Sequence, residues 1–140
     1  MSGAIIKLQL APGHRVPMKE VTSVSAIGGL GLDGDWHARK ESQRQVLFMD
    51  EETLNAFGLE PGRIKENITT RGIELKTLER GTRLRAGTAL FEITIPCAPC
   101  DFIDDIQPGL REKMIGRRGM LARVIESGEI KIGDAIEVVN

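Results

Sequence analysis

Short apolar runs recur along the whole chain, and glycine-containing turns separate most of them. Some runs alternate apolar and polar positions, and most are rich in β-branched residues, which is typical of strands rather than helices. The pattern predicts strands over residues 4–10, 21–27, 45–49, 64–70, 88–95, 121–125 and 135–139.

Two segments share one local pattern, a strand, a glycine turn or kink, and a second strand. They are residues 84–90, which contain Gly87, and residues 130–136, which contain Gly133. A strongly bent sheet needs such glycines because they relax the backbone where a strand changes direction. The pattern therefore indicates a bent β-barrel.

Helix signals are few. Asp50 can cap a short helix through about Phe57, and Gly58 stops it; shorter helical turns are predicted at 75–80 and 110–115. Residues 101–105 are a poor helix start, and no repeated strand–helix–strand rhythm appears. We therefore expect a mainly β fold, a bent and glycine-kinked barrel with a few short helices, in one domain spanning residues 1–140.

Composition narrows the functional classes. Lys and Arg number 19 against 20 Asp and Glu, so the net charge is -1, and this balance argues against a general nucleic-acid binder. The same balance still allows a local basic pocket that binds one small anion. No apolar run is long enough to span a bilayer, and the start lacks the pattern of a signal peptide. We expect a cytoplasmic protein with no membrane partner.

The chain has two cysteines, Cys97 and Cys100, each preceded by a proline. They follow the predicted strand 88–95, at a strand end where loops commonly present reactive groups. Cytosolic thiols are mostly reduced, which disfavours a structural disulfide. Four alternatives follow from the spacing: a redox dithiol, half a zinc site, a sulfur relay, or two small buried side chains.

Neighbouring residues weigh on these alternatives. A zinc site would need His14 and His37 as further ligands, and they lie far apart in sequence. A thioredoxin-type dithiol would need a helix after the cysteines, inside a different fold pattern. The thiol pKa stays open, since nearby carboxylates would raise it and nearby cations would lower it, namely Asp101, Asp104, Asp105, Arg111, Lys113, Arg117 and Arg118.

Two further segments carry possible chemistry. Arg117-Arg118-Gly119 suits an oxyanion, because a guanidinium and backbone N–H groups can converge beside a glycine. The glycine-rich stretch 28–37 lacks the helix of a dinucleotide site and the spacing of a calcium loop. We interpret it as a tight connection with Trp36 packed beneath it.

In order and spacing, several segments together resemble the MOSC family, named for the C-terminal domain of molybdenum cofactor sulfurases. The matching elements are Gly31-Leu32-Asp33-Gly34-Asp35-Trp36-His37, Arg44-Gln45-Val46, Glu66-Asn67-Ile68-Thr69, Gly81-Thr82-Arg83-Leu84, Pro99-Cys100 and Gly116-Arg117-Arg118-Gly119. The family often has G-R-G-G at the last element, so either Arg117 or Arg118 takes the place of the anion-contacting arginine.

The resemblance implies a bent β-barrel whose cleft binds molybdenum cofactor, the molybdopterin form, or a sulfur-bearing group. It implies that Cys100 accepts and transfers sulfane sulfur as a persulfide carrier, or ligates molybdenum. On the sulfur-transfer hypothesis, we expect Cys97 to resolve the persulfide as a disulfide or to assist as a second thiol. Its implied partners are a cysteine desulfurase or a molybdoenzyme. The implied cofactor-binding residues are Arg44, Arg63, Lys65, Asn67, Arg117 and Arg118.

Two alternatives stay open at this point. One is a molybdenum-dependent reductase component acting on N-hydroxylated compounds, which would take electrons from partner proteins. The other is a non-catalytic redox or binding module that uses the Cys97 and Cys100 dithiol. Whether the chain is itself an enzyme is left undecided by the sequence.

Overall fold

The computed structural model describes residues 2–139. Its strands are β1 Ser2–Leu10, β2 Lys19–Val21, β3 Ser23–Ile27, β4 Gly31–Leu32, β5 Val46–Asp50, β6 Ile68–Arg71, β7 Arg83–Ala86, β8 Ala89–Pro96, β9 Met120–Glu126, β10 Gly128–Lys131 and β11 Ala135–Val139. Its helices are α1 Glu51–Ala56, α2 Phe102–Ile106 and α3 Leu110–Lys113, with a single 3-10 turn at Leu75–Thr77.

Seven strands form a closed barrel in the order β11, β7, β8, β9, β5, β6 and β1, and β11 pairs with β1 to complete the ring. β1 is long enough to pair with β11 and β6 and also to carry β2 as an extra strand. The β5–β6 pair is parallel, and the other strand pairs within residues 2–139 are antiparallel. β10, β3 and β4 form a separate small sheet. The predicted bent β-barrel is confirmed.

Two apolar cores lie on opposite faces of β5. Phe48 points into the barrel, where its ring meets that of Phe91 edge-on at 5.3 Å. Met49 points outward into a second core with Leu54 of α1, Ile103 of α2 and residues of the α3 region. A strand buried on both faces needs no polar positions, which explains the continuous apolar run at this point in the sequence.

The two glycine patterns have different outcomes. The turn at Gly87 joins β7 to β8 as a hairpin in which Ala86 pairs with Ala89. The turn at Gly133 joins β10 to β11, but β10 pairs with β3 whereas β11 pairs with β7 and β1. The second pattern is therefore a corner between two sheets.

The predicted strand 64–70 is wrong in its first half, since β6 begins at Ile68. The preceding residues form a turn in which Gly62 and Lys65 have φ of 86° and 70°. The buried carboxylate of Glu66 accepts the Gly62 N–H at 2.9 Å and so stabilises the turn. The Gly62 N–H is thus satisfied by the Glu66 side chain rather than by a neighbouring strand.

The helix predicted after Asp50 is confirmed, and Asp50 Oδ2 accepts the Thr53 N–H at 2.9 Å as its N-terminal cap. The helix predicted at 75–80 is only a 3-10 turn, and that at 110–115 shortens to α3. The expectation of no helix after Cys100 is wrong, because α2 begins at Phe102. Burial of Ile103 in the second core stabilises this short helix despite its weak propensity.

Trp36 also differs from the prediction. Its side chain is 40% exposed rather than packed beneath the glycine-rich connection. It stacks on the His14 ring at 4.7 Å, and the Arg39 guanidinium lies 5.1 Å from its centroid. Within residues 2–139, no helix has the length and apolar character needed to cross a membrane.

Candidate thiol and anion site

The cysteine loop begins where β8 ends. Past Pro96, the Cys97 N–H donates to the Gly119 carbonyl at 2.9 Å, which extends the β8–β9 pairing by one step. Cys97 is therefore held against the residues that precede β9, and Arg118 is one of them. The far end of the loop is fixed by α2, because the Ile103 N–H donates to the Cys100 carbonyl at 3.1 Å.

The two cysteines have different environments. Cys97 is 8% exposed and packs with Leu47 and Leu121 in a small apolar cluster. Cys100 is exposed, and both thiols are free. The two sulfurs nevertheless face the same acceptor, the Ala98 carbonyl, at 3.7 Å from Cys97 and 3.8 Å from Cys100. The loop thus presents one outward thiol and keeps a second one covered.

Arg118 is the buried cation of the site, at 3% exposure. Its Nη2 donates to the Ile64 carbonyl, and its guanidinium carbon lies 5.8 Å from the centre of the Phe102 ring. Nε and Nη1 are buried and have no hydrogen-bond partner anywhere in residues 2–139. An unpaired buried donor is costly, so such a group is a candidate for binding an anion.

Arg117 and Arg118 are adjacent in sequence but lie in different environments. Arg117 is exposed, and its guanidinium carbon lies 4.8 Å from the centre of the Phe57 ring. Gly119, with φ of 100°, follows Arg118, and a Cβ there would overlap the Phe48 carbonyl. Only glycine suits this backbone, and it sets the direction in which Arg118 enters the interior. The structure therefore buries Arg118, whose charge acts on the Cys97 thiol, whereas Arg117 faces solvent.

Burial raises the pKa of the Cys97 thiol above its ordinary value. The positive charges of Arg118 and Arg44 act in the opposite direction and lower that pKa. Two acidic residues near the cysteines contact Arg111: Asp104 accepts its backbone N–H at 2.9 Å, and Asp101 Oδ1 lies 3.5 Å from its Nε. The cations that the thiol senses are therefore Arg118 and Arg44.

Glu66 is a buried carboxylate behind this cation. Burial raises the pKa of Glu66, and hydrogen bonds from Gly62 N–H and the Thr69 hydroxyl, at 2.9 and 3.0 Å, oppose that rise, as does the charge of Arg118. Glu66 stabilises the turn whose Ile64 carbonyl accepts Arg118. It therefore both positions the guanidinium and compensates part of its charge.

Lys65 and Arg63 come from the same turn. Lys65 Nζ donates to the Val16 carbonyl at 2.6 Å and lies 6.0 Å from the centre of the Phe102 ring. Phe102 thus has Lys65 and Arg118 against it, two residues after Cys100. Arg63 is exposed, and its backbone N–H donates to the Glu60 carbonyl at 3.2 Å.

Asn67 is buried and fully engaged within the protein. Its side-chain oxygen accepts the Leu47 N–H at 3.0 Å, and its amide donates to Gln9 O and Asp35 Oδ1 at 3.2 and 3.1 Å. Asp35 Oδ1 also accepts the Ala11 N–H at 2.7 Å. The structure places Asn67 in a network that ties β1 and β5 to the glycine-rich connection.

The two histidines contact Trp36 and Asp35 in the structure. No group of three or more His, Cys, Asp or Glu side chains suited to a metal occurs in the part of the chain that is described. His14 stacks on Trp36, and Nδ1 of His37 lies 3.3 Å from Oδ2 of Asp35 without forming a hydrogen bond. Within the described residues, the two cysteines therefore have no further ligands with which to form a zinc site.

Two surface clefts, of about 270 and 180 Å³, flank α1. The larger is lined by Lys7, Glu51 and Arg71 among others, and the smaller by Asp50, Lys76 and Arg117 among others. Neither is lined by a cysteine. Cys97 and Cys100 therefore lie outside both clefts, although Pro96 lines the smaller one.

Sequence reasoning missed Phe102 and Glu66. Phe102 was hidden because no helix was expected after Cys100. Glu66 was quoted only as part of a motif, although a Glu between a Pro-Gly turn and an apolar strand is a usable signal of a side-chain-stabilised turn. Both residues contact or compensate Arg118.

The fold and site together define a closed mixed β-barrel with an exposed and a covered thiol on one loop, the covered one near a buried, incompletely paired arginine. The MOSC domain family matches residues 34–137, and the chain belongs to this family. No curated protein shows significant sequence similarity to the chain.

Solved structures share the fold. The YUAD protein from Bacillus subtilis superimposes with a TM-score of 0.84 at 21% identity, over 99% of this chain and 96% of that one. YiiM from Escherichia coli gives a TM-score of 0.76 at 20% identity, covering 100% of this chain and 70% of that one. YiiM from Geobacillus stearothermophilus gives 0.78 at 20% identity, covering 99% and 75%.

Proposed function

We propose that this MOSC domain carries sulfane sulfur on Cys100 and holds an anionic ligand at Arg118. The observation that carries the proposal is the buried Arg118 guanidinium, whose Nε and Nη1 have no partner in residues 2–139. Such donors are satisfied by an anion, and the exposed Cys100 lies on the same loop as Cys97, whose thiol is near enough to Arg118 to sense its charge. Anion binding and thiol chemistry would thus occur at one place.

Sulfur capture by Cys100 is a thiol exchange reaction. The Cys100 thiolate attacks the terminal sulfur of a donor persulfide, the S–S bond of the donor breaks, and the donor leaves as a thiolate. Cys100 then carries the sulfur as a persulfide anion. Arg118, Arg44 and Lys65 provide the positive charge that stabilises this anion and attracts an anionic acceptor.

The family association with molybdenum cofactor adds a candidate ligand. The donor set of the site fits the anionic part of that group, since the orphaned Nε and Nη1 of Arg118 need an oxyanion or sulfur anion. Arg118, with Arg44 and Lys65, would hold it, and Cys100 would supply a soft thiolate. When bound, the cofactor supplies a metal centre that accepts sulfur ligands. Asn67 has its side chain engaged within the protein, so we leave it out of the ligand set.

The proposed partners follow from this chemistry. A cysteine desulfurase is the class of protein that supplies a persulfide, and a molybdoenzyme is the proposed recipient. Incubation with a desulfurase and cysteine, followed by intact-mass measurement, tests the proposal. We expect a gain of about 32 Da in the wild type that Cys100→Ser lacks. Absence of the gain in both the wild type and the Cys97→Ser variant would remove the sulfur-carrier function.

A further inference from the structure

The loop holds a covered thiol beside an exposed one, and this asymmetry has a chemical use. Cys97 and Cys100 face the same oxygen, Ala98 O, at 3.7 and 3.8 Å, so no side chain separates the sulfurs from their shared acceptor. Cys97 is fixed at its backbone by the bond to Gly119, whereas Cys100 faces solvent. A sulfur atom arriving from outside therefore meets Cys100 first.

We propose that Cys97 resolves a persulfide formed on Cys100, releasing sulfide and closing a Cys97–Cys100 disulfide. The inference rests on the proposed sulfur-carrier function of Cys100. It assigns to Cys97 a role that its apolar contacts with Leu47 and Leu121 do not require, since Ala or Val would fill that space without a thiol.

The step balances without an added oxidant. The Cys97 sulfur attacks the inner sulfur of the Cys100 persulfide, and the new S–S bond joins the two cysteines. The bond to the outer sulfur breaks, and that sulfur takes up the proton of the Cys97 thiol and leaves as hydrosulfide. The sulfane sulfur takes up the two electrons that the two thiols lose. A dithiol reductant must then reduce the disulfide before Cys100 can accept sulfur again, so that class of reductant is a further partner of the site.

Because Cys97 is covered, we expect its attack on the persulfide to be slower than the capture of sulfur by the exposed Cys100. Burial raises the pKa of the Cys97 thiol, while the nearby Arg118 and Arg44 guanidiniums act to lower it. The persulfide on Cys100 therefore has time to meet an acceptor, and sulfur that finds none is discharged as sulfide. Cys97 therefore limits the lifetime of the persulfide on Cys100.

The test follows one loading event over time in the wild type, Cys97→Ser and Cys97→Ala, with circular dichroism to show that the variants are folded. The reduced proteins are treated with sodium tetrasulfide under nitrogen and freed of it by gel filtration. Intact mass, released sulfide and a non-reducing peptide map are then recorded. In the wild type we expect the gain of about 32 Da to give way to a loss of about 2 Da, with roughly one sulfide released per chain.

Both Cys97 variants should keep the added sulfur and release sulfide at least about tenfold more slowly. Equal lifetimes of the added sulfur in the wild type and the two variants would overturn the role of Cys97 and leave the carrier function standing. If the Cys97 variants gain no sulfur at all, it is the carrier function on Cys100 that fails. A wild type that settles with its sulfur in place and no Cys97–Cys100 disulfide would likewise overturn the inference.

Discussion

Replacement of Arg118 by Met is the perturbation that separates the anion site from the fold. Met keeps the length and apolar stem of the side chain but removes the guanidinium. Arg117→Met is the matched control, because the two residues are adjacent and Arg117 lies exposed over Phe57. Arg118→Met removes a buried positive charge, and Arg117→Met removes an exposed one.

The expected change in the free energy of unfolding of Arg118→Met follows from the contacts of Arg118. Removing Nε and Nη1 relieves two unpaired buried donors, each costing about 1–3 kcal/mol, while loss of the bond to Ile64 O costs about 1.5–3 kcal/mol and leaves Glu66 less compensated. The relief of about 2–6 kcal/mol opposes the loss of about 1.5–3 kcal/mol and the cost at Glu66, so the unliganded Arg118→Met protein should be at most about 1–2 kcal/mol less stable than the wild type. The large difference should appear only when an anion is bound.

Thermal unfolding in a phosphate titration at constant ionic strength, with chloride as the balancing salt, measures that difference. At phosphate 100-fold above its Kd, the wild type should gain about 2.7 kcal/mol. For a 140-residue chain this corresponds to a rise in Tm of roughly 8–10 °C. We expect Arg117→Met to keep the rise and Arg118→Met to lose it. An equal rise in Arg118→Met, or none in the wild type, would refute the anion-site reasoning.

Three further substitutions test the support of the site. Gly119→Ala should lower the free energy of unfolding by roughly 2–4 kcal/mol in urea titration, because φ is positive and a Cβ would overlap the Phe48 carbonyl; a change below about 0.5 kcal/mol would contradict this account. Asn67→Ala should cost about 2–4 kcal/mol by the same assay, since Leu47 N–H and Asp35 lose a partner, and a neutral change would make a ligand-binding role more attractive than a structural one. Because burial raises the pKa of Glu66, its contribution to stability is full below the ordinary Glu pKa of about 4.3 and decreases as pH rises through the raised pKa. The stability of the wild type relative to Glu66→Gln should therefore fall as pH rises above the ordinary Glu pKa in urea titrations, and a difference that grows with pH would be inconsistent with a raised pKa.

The barrel was predictable because its strands carry a local pattern. β-branched runs and glycine turns fixed the strand class, and the run at β5 lacked alternation for a reason that became visible only with two cores on its faces. The errors came from tertiary contacts. Residues 64–67 form a turn because Glu66 accepts the Gly62 N–H, and α2 exists because Ile103 is buried against α1 and α3. Neither contact leaves a periodic trace in sequence.

The site was predictable only as a set of residue types. Sequence and resemblance together pointed to Cys100, Cys97 and an arginine before Gly119, but they could not choose between Arg117 and Arg118. That choice depends on the backbone direction at Gly119 and on the packing of Phe102, which are properties of the assembled fold. The unequal burial of the two cysteines likewise arises from the β8–β9 pairing, since Cys97 continues that ladder and Cys100 does not.

The location of captured sulfur tests the central claim most directly. Wild-type protein loaded by a cysteine desulfurase is trapped early with an alkylating reagent that labels persulfides, digested, and mapped by mass spectrometry. The account predicts about one sulfane sulfur per chain, on Cys100, with the Arg117→Met protein behaving as the wild type. Sulfur found first on Cys97, or found on neither cysteine, would contradict it.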